Sequence, residues 1–124
     1  MIKLDYKDGR TLHQQIEDGI KELIINGILK IDEQLPSVRE LSISLTVNPN
    51  TVQKAYKELE TAGFIYSVKG KGNFVAPVKE NKNDKRVQEL YDELQITVKE
   101  LMFLGEKKEG IQNLINNIYS EKEE

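Results

Sequence analysis

Residues Pro36–Val75 read PSVRELSISLTVNPNTVQKAYKELETAGFIYSVKGKGNFV, and the order of local signals within them decides the fold. Ser37 stands three residues before Glu40, the spacing of a capping box, so a helix is expected from Val38. Val38, Leu41 and Leu45 follow at spacings of three and four and share one face, with Arg39, Glu40, Ser42 and Ser44 turned elsewhere. Thr46 and Val47 form the turn. Asn48-Pro49 then pairs a favoured N-cap residue with the residue best suited to the first helical position. Val52, Ala55, Tyr56 and Leu59 repeat with helical period, and Gly63 supplies the stop. Next, Phe64, Ile65, Tyr66 and Val68 favour a strand, Lys69-Gly70-Lys71-Gly72 a turn, and Asn73, Phe74 and Val75 the returning strand.

Two short helices, a tight turn and a basic hairpin make a helix-turn-helix with a wing, a surface shaped to enter a DNA groove. The face left open on the second helix carries Asn50, Thr51, Gln53, Lys54 and Lys57. Amides near the start of such a helix can pair bidentately with adenine, and cations one or two turns later reach phosphates. The first turn also offers unpaired N–H groups to a phosphate. Glycines let the hairpin tip turn tightly and approach a duplex closely, and Lys69 and Lys71 place charge there. Blander alternatives are a merely solvated helix face and a Lys-Gly turn that is only a turn. A nucleotide-binding loop is set aside, because no G-x-x-x-x-G-K-[ST] precedes a helix.

From about Leu12 to Val75 the chain resembles the winged helix-turn-helix of the GntR family of bacterial transcription regulators. The resemblance is carried by the opening amphipathic helix, the link before LPSVREL, the NPNTVQKAYKELE helix and the GKGNFV wing. That helix and the short C-terminal region are similar to the YtrA-type subfamily. The resemblance implies DNA contacts at Arg39, and at Asn48, Asn50, Thr51 and Gln53 on the recognition helix; Ser37 and Lys54 join them as expected DNA contacts of this chain. On the wing it implies Lys69 and Gly70, with the glycine backbone meeting the minor groove, and the charge at the tip adds Lys71 as an expected contact. It also implies a dimer and regulation of neighbouring transporter genes; the role expected of the chain is that of a repressor. Many members carry arginine where this chain has Pro49 and Gln53, so no operator sequence is carried over with the family.

The 124 residues allow one domain of ordinary size, expected over 1–77, plus a helical appendage over 78–124. Formal net charge is −3, but it is unevenly spread: −2 over residues 1–35, +2 over 36–75 and −3 over 76–124. The positive part coincides with the expected DNA surface. Acids elsewhere are largely screened beyond a Debye length of about 8 Å. A single copy should therefore bind DNA weakly and with steep salt dependence, which favours a dimer. There is no cysteine, hence no disulfide framework or thiolate zinc site. No run approaches the roughly 18 apolar residues of a membrane span, and no export signal opens the chain, so a cytoplasmic protein is expected.

Residues 11–26 read as a first helix with Leu12, Ile16, Ile20, Leu23 and Ile24 buried, closed by Gly27. Ile28, Leu29 and Ile31 are expected to continue apolar contact, and Leu4 and Tyr6 to pack on that helix. His13, the one histidine, reads as a surface or capping residue, with no metal and no cofactor. Residues 79–86 read as a linker or exposed first turn. Beyond them Leu90, Tyr91, Leu94, Val98, Leu101 and Met102 mark a helix of about 20 residues, near 30 Å long. After an interruption at Gly105, a second helix carries Ile111, Leu114, Ile115 and Ile118, and EKEE forms a frayed end. Two such stripes cannot bury themselves on each other alone. A homodimer is expected, the alternative being that they fold back as core of a monomer. Whether a small-molecule effector binds is not written in these residues. No catalytic pair or cofactor fingerprint suggests an enzyme. The rival to DNA binding is a winged helix used only to bind another protein.

Overall fold

The computed structural model describes residues 2–77 and 84–123. In chain order they form α1 (Leu12–Ile25), α2 (Val38–Leu45), α3 (Pro49–Thr61), β1 (Ile65–Val68), β2 (Gly72–Val75), α4 (Asp84–Phe103) and α5 (Lys108–Glu123). The fold is therefore mainly α with one small hairpin, as the sequence predicts. The chain divides into two compact units, Met1–Lys79 and Glu80–Glu124.

In the first unit α1 and α2 both pack on α3, which also meets β1. Val52, Ala55, Tyr56 and Leu59 are the four buried positions of α3, and Ile16, Ile20, Leu35, Leu41, Ile65 and Val75 complete the core around them. The caps follow local chemistry. Thr11 accepts the Gln14 N–H at the start of α1, and the Ser37–Glu40 capping box opens α2 with both of its bonds formed. Gly27 and Gly63 take the positive φ values of 74° and 86° just beyond the ends of α1 and α3. β1 and β2 pair antiparallel, Ile65 with Val75 through Val68 with Gly72.

Several expectations need correction. Gly72 belongs to the strand rather than the turn, which leaves Lys69, Gly70 and Lys71 as the loop. Ser42 does not point outward; it is buried, and its hydroxyl donates to the Arg39 carbonyl at 2.8 Å, so it needs no water. Of the three link residues expected to continue apolar contact, Leu29 packs on the core, while Ile28 and Ile31 are exposed. Leu4 touches the core, but Tyr6 is exposed. His13 does not cap α1. It is half-buried, with Nδ1 3.8 Å from Glu17 Oε1, and neither atom has a hydrogen-bond partner.

In the second unit, α4 ends where Leu104 and Gly105 turn the chain, Gly105 at φ 89°. The linker expected over 79–86 lies outside the described residues up to 83, and from Asp84 onward the chain is helical. α5 continues through Glu123, and Glu124, the last residue of the expected frayed end, lies outside the described residues. α4 and α5 share no extensive contact. Within the single chain Leu90, Tyr91, Leu94, Met102, Leu114, Ile115 and Ile118 stay exposed, and Val98, Leu101 and Ile111 are half-buried. Val87, Leu90, Tyr91 and Leu94 line a shallow apolar groove of about 250 Å³.

Candidate nucleic-acid interface

The open edge of α3 is built from its cap outward. Asn48 holds an extended backbone, and its Oδ1 accepts the Asn50 N–H at 2.8 Å. That bond uses the carboxamide oxygen and leaves the Asn48 NH₂ group to donate elsewhere. Pro49 fills the first helical position, where a missing N–H removes nothing. With Val52, Ala55, Tyr56 and Leu59 turned inward, Asn50, Gln53, Lys54 and Lys57 are all exposed, and Thr51 is half-buried beside them.

α2 is tied to α3 through a buried phenol. Tyr56 Oη donates to the Pro36 carbonyl at 2.7 Å, and burial, aided by the nearby Glu40 charge, raises the Tyr56 pKa well above its ordinary value. The neutral hydroxyl is therefore a permanent donor that fixes the start of α2 against the recognition helix. Ser37 sits at that start. Its oxygen accepts the Glu40 N–H at 3.0 Å, while the Ser37 N–H donates to Glu40 Oε1 at 3.1 Å. The second bond, helped by the serine side chain, holds the Glu40 carboxyl below its ordinary value. A hydroxyl that accepts in the cap still has its own proton to give. Arg39, the next residue but one, is exposed.

The turn between the helices is tight because Thr46 takes a left-handed backbone, φ 57° and ψ 50°, letting its N–H and that of Val47 reach back to Ile43 and Ser42. In the wing, Gly70 adopts φ 80° at the tip between Lys69 and Lys71, all three exposed. Tyr66 and Phe74 stack across the hairpin, ring centres 5.5 Å apart. Tyr66 Oη donates to Asp32 Oδ1 at 2.7 Å, and this bond raises the Tyr66 pKa. The sequence reading passed over this support from residues 32–35. Its only local signal is Leu35, a single apolar residue in a polar link.

Two arginines are held in ion pairs. Arg10 is engaged by Asp8 and Asp18, and Arg86 by Glu89 and Glu93. Among the described residues, no ion pair engages Arg39, Lys54, Lys57, Lys69 or Lys71. The described surface lysines outside these elements are free of ion pairs as well, so it is position on α2, α3 and the wing, not pairing alone, that suits these five to phosphates. No cluster of His, Cys, Asp or Glu able to hold a metal occurs among the described residues. No described helix is long and apolar enough to cross a membrane.

Capped α2 and α3 followed by a basic hairpin define a winged helix-turn-helix. Residues 12–75 match the model for bacterial regulatory proteins of the gntR family, and the chain belongs to that family. The HTH-type transcriptional repressor YtrA of Bacillus subtilis (strain 168) is 45% identical over 76 residues, which span 61% of this chain and 58% of that protein. The solved structure of YtrA from Sulfolobus acidocaldarius, a GntR-family transcription factor, is 35% identical with a TM-score of 0.62, covering 99% of this chain and 100% of that one. The structure of AraR(DBD) in complex with operator ORE1 is 30% identical with a TM-score of 0.54, covering 61% of this chain and 93% of that one. The family and these relatives are transcription regulators, not enzymes.

Proposed function

We propose that this chain is a cytoplasmic, sequence-specific transcription repressor that reads an inverted-repeat operator as a homodimer. One observation carries the reading: the exposed amides Asn50 and Gln53 and the exposed cations Arg39, Lys54, Lys57, Lys69 and Lys71 lie on the elements that a winged helix presents to DNA. In this reading residues 1–77 form the DNA-binding domain. Asn50 and Gln53 read base edges, with Asn48 and Thr51 beside them. Ser37, Arg39 and Lys54 hold phosphates, and Lys69, Gly70 and Lys71 follow the backbone from the wing.

Residues 78–124 form the dimerisation region. Leu90, Tyr91, Leu94, Val98, Leu101, Met102, Ile111, Leu114, Ile115 and Ile118 supply the apolar contacts, residues that the single chain leaves exposed or half-buried. A dimer places two α3 helices about 34 Å apart, one for each half-site. It also offsets the weak grip expected of one small basic surface on a chain of net charge −3.

Selection from a random duplex pool at two salt concentrations tests this. A symmetric inverted repeat should be enriched, and log affinity should fall against log salt with a slope near −0.9 per neutralised phosphate. A protein that enriches no site and shows no salt dependence is a protein-binding module instead.

A further inference from the structure

The wing has a strand partner outside the hairpin, in the segment between α1 and α2. The Leu35 N–H donates to the Asn73 carbonyl at 2.8 Å, the Val75 N–H to the Glu33 carbonyl at 3.0 Å, and the Asp32 N–H to the Val75 carbonyl at 2.9 Å. Gln34 faces Phe74 in an antiparallel bridge. Leu35 is 3% exposed, so the backbone that carries Gln34 is anchored in the core two residues before α2 is capped. From this fixed base the Gln34 side chain reaches the hairpin tip, where its Nε2 donates to the Lys71 carbonyl at 2.8 Å. Gly72 leaves the space for it, since a Cβ there would lie 2.9 Å from that nitrogen.

We propose that Gln34 is a positioning residue of the wing: by holding the Lys71 carbonyl it fixes where Gly70 and the Lys71 ammonium stand when DNA arrives. A short loop with a glycine at its centre has many conformations to lose, and ordering it before binding removes that entropic penalty from the association. The tie also sets the tip against α2 and α3, because Gln34 and Ser37 lie on one short anchored stretch. The placement is a property of the free protein. Its consequence for affinity rests on the DNA-binding reading above.

Gln34→Met keeps the length of the side chain and removes the donor. In the free protein, backbone amide order parameters at Gly70–Gly72 should drop from the rigid range near 0.85 toward about 0.6. The melting midpoint should hold, because Gln34 is exposed. On the selected operator, affinity should fall about threefold to tenfold and the salt slope should shrink by about one phosphate's worth. In a Lys71→Ala background the same substitution should cost clearly less affinity, since one of the two groups it places is gone. Unchanged order parameters at the tip overturn the proposal, as does an equal loss of affinity in both backgrounds. A wild-type protein that binds no duplex, with a tip that still loosens in Gln34→Met, overturns the DNA-binding reading and leaves the tether standing.

Discussion

Thr46 carries the left-handed turn between α2 and α3 at φ 57°, a region that β-branched residues rarely occupy because Cβ crowds the following carbonyl. Asparagine tolerates that conformation far better. Thr46→Asn is therefore expected to stabilise the fold by about 1 kcal/mol, or roughly 5 °C in Tm for a unit of this size. A lower midpoint would show that the threonine methyl or hydroxyl contributes more than its backbone strain removes. Gln53 poses the opposite question, since it is exposed one turn into α3 and packs into nothing. Gln53→Ala should leave stability within about 0.5 kcal/mol of wild type. It should relax base preference at one operator position by about 1–3 kcal/mol, the worth of one bidentate amide contact. Selection with the variant measures this directly, and an unchanged preference removes Gln53 from base reading.

Among the elements, α2 and α3 were legible because their signals are local. Ser37 with Glu40 and Asn48 with Pro49 mark helix starts through bonds made within three residues, and helical period sorts the inward positions of α3 from the open edge. Where position depends on a distant partner, the reading weakens. Gly72 looks like turn chemistry, yet pairs with Val68, and Ile28 and Ile31 look like core, yet lie exposed because residues 32–35 follow the hairpin instead of a helical period. Ser42 defeats a pattern argument in another way, since a polar residue can be buried once a carbonyl accepts its hydroxyl. The amide and lysine edge was visible in the sequence, and the structure shows it exposed. Its support by Gln34 and Asp32 was not visible, because one unpatterned link makes both bonds.

The capping box of α2 also makes this element sensitive to pH. The Ser37 N–H holds the Glu40 pKa below the ordinary 4.5, so the folded state favours the carboxylate. Its contribution is complete above about 4.5 and is lost as pH falls through the lower folded value. Glu40→Ala should be less stable than wild type at neutral pH, and the gap should narrow in urea melts at about pH 3. A gap that stays constant with pH would locate the effect in helix propensity rather than in the carboxylate.

For the whole molecule, the decisive imbalance is between charge and apolar surface. Residues 36–75 carry a net charge of +2, and among the described residues no acid engages their Arg39, Lys54, Lys57, Lys69 or Lys71, while residues 76–124 carry −3 together with a long exposed apolar stripe. An acidic helix pair has little to offer DNA directly, but a second copy covering its apolar face would double the basic surface without adding a contact to either half. Leu94 lies at the centre of that argument, 47% exposed in the groove that Val87, Leu90 and Tyr91 complete. In a dimer buried at this groove, Leu94→Asp would strand a carboxylate without a partner, at a cost of several kcal/mol. Sedimentation should then report monomers. Operator affinity should collapse toward that of a single half-site, while a lone winged-helix unit keeps its own salt-dependent grip. If the variant still sediments as a dimer, α4 leaves the interface and the pairing of half-sites must be built from another surface.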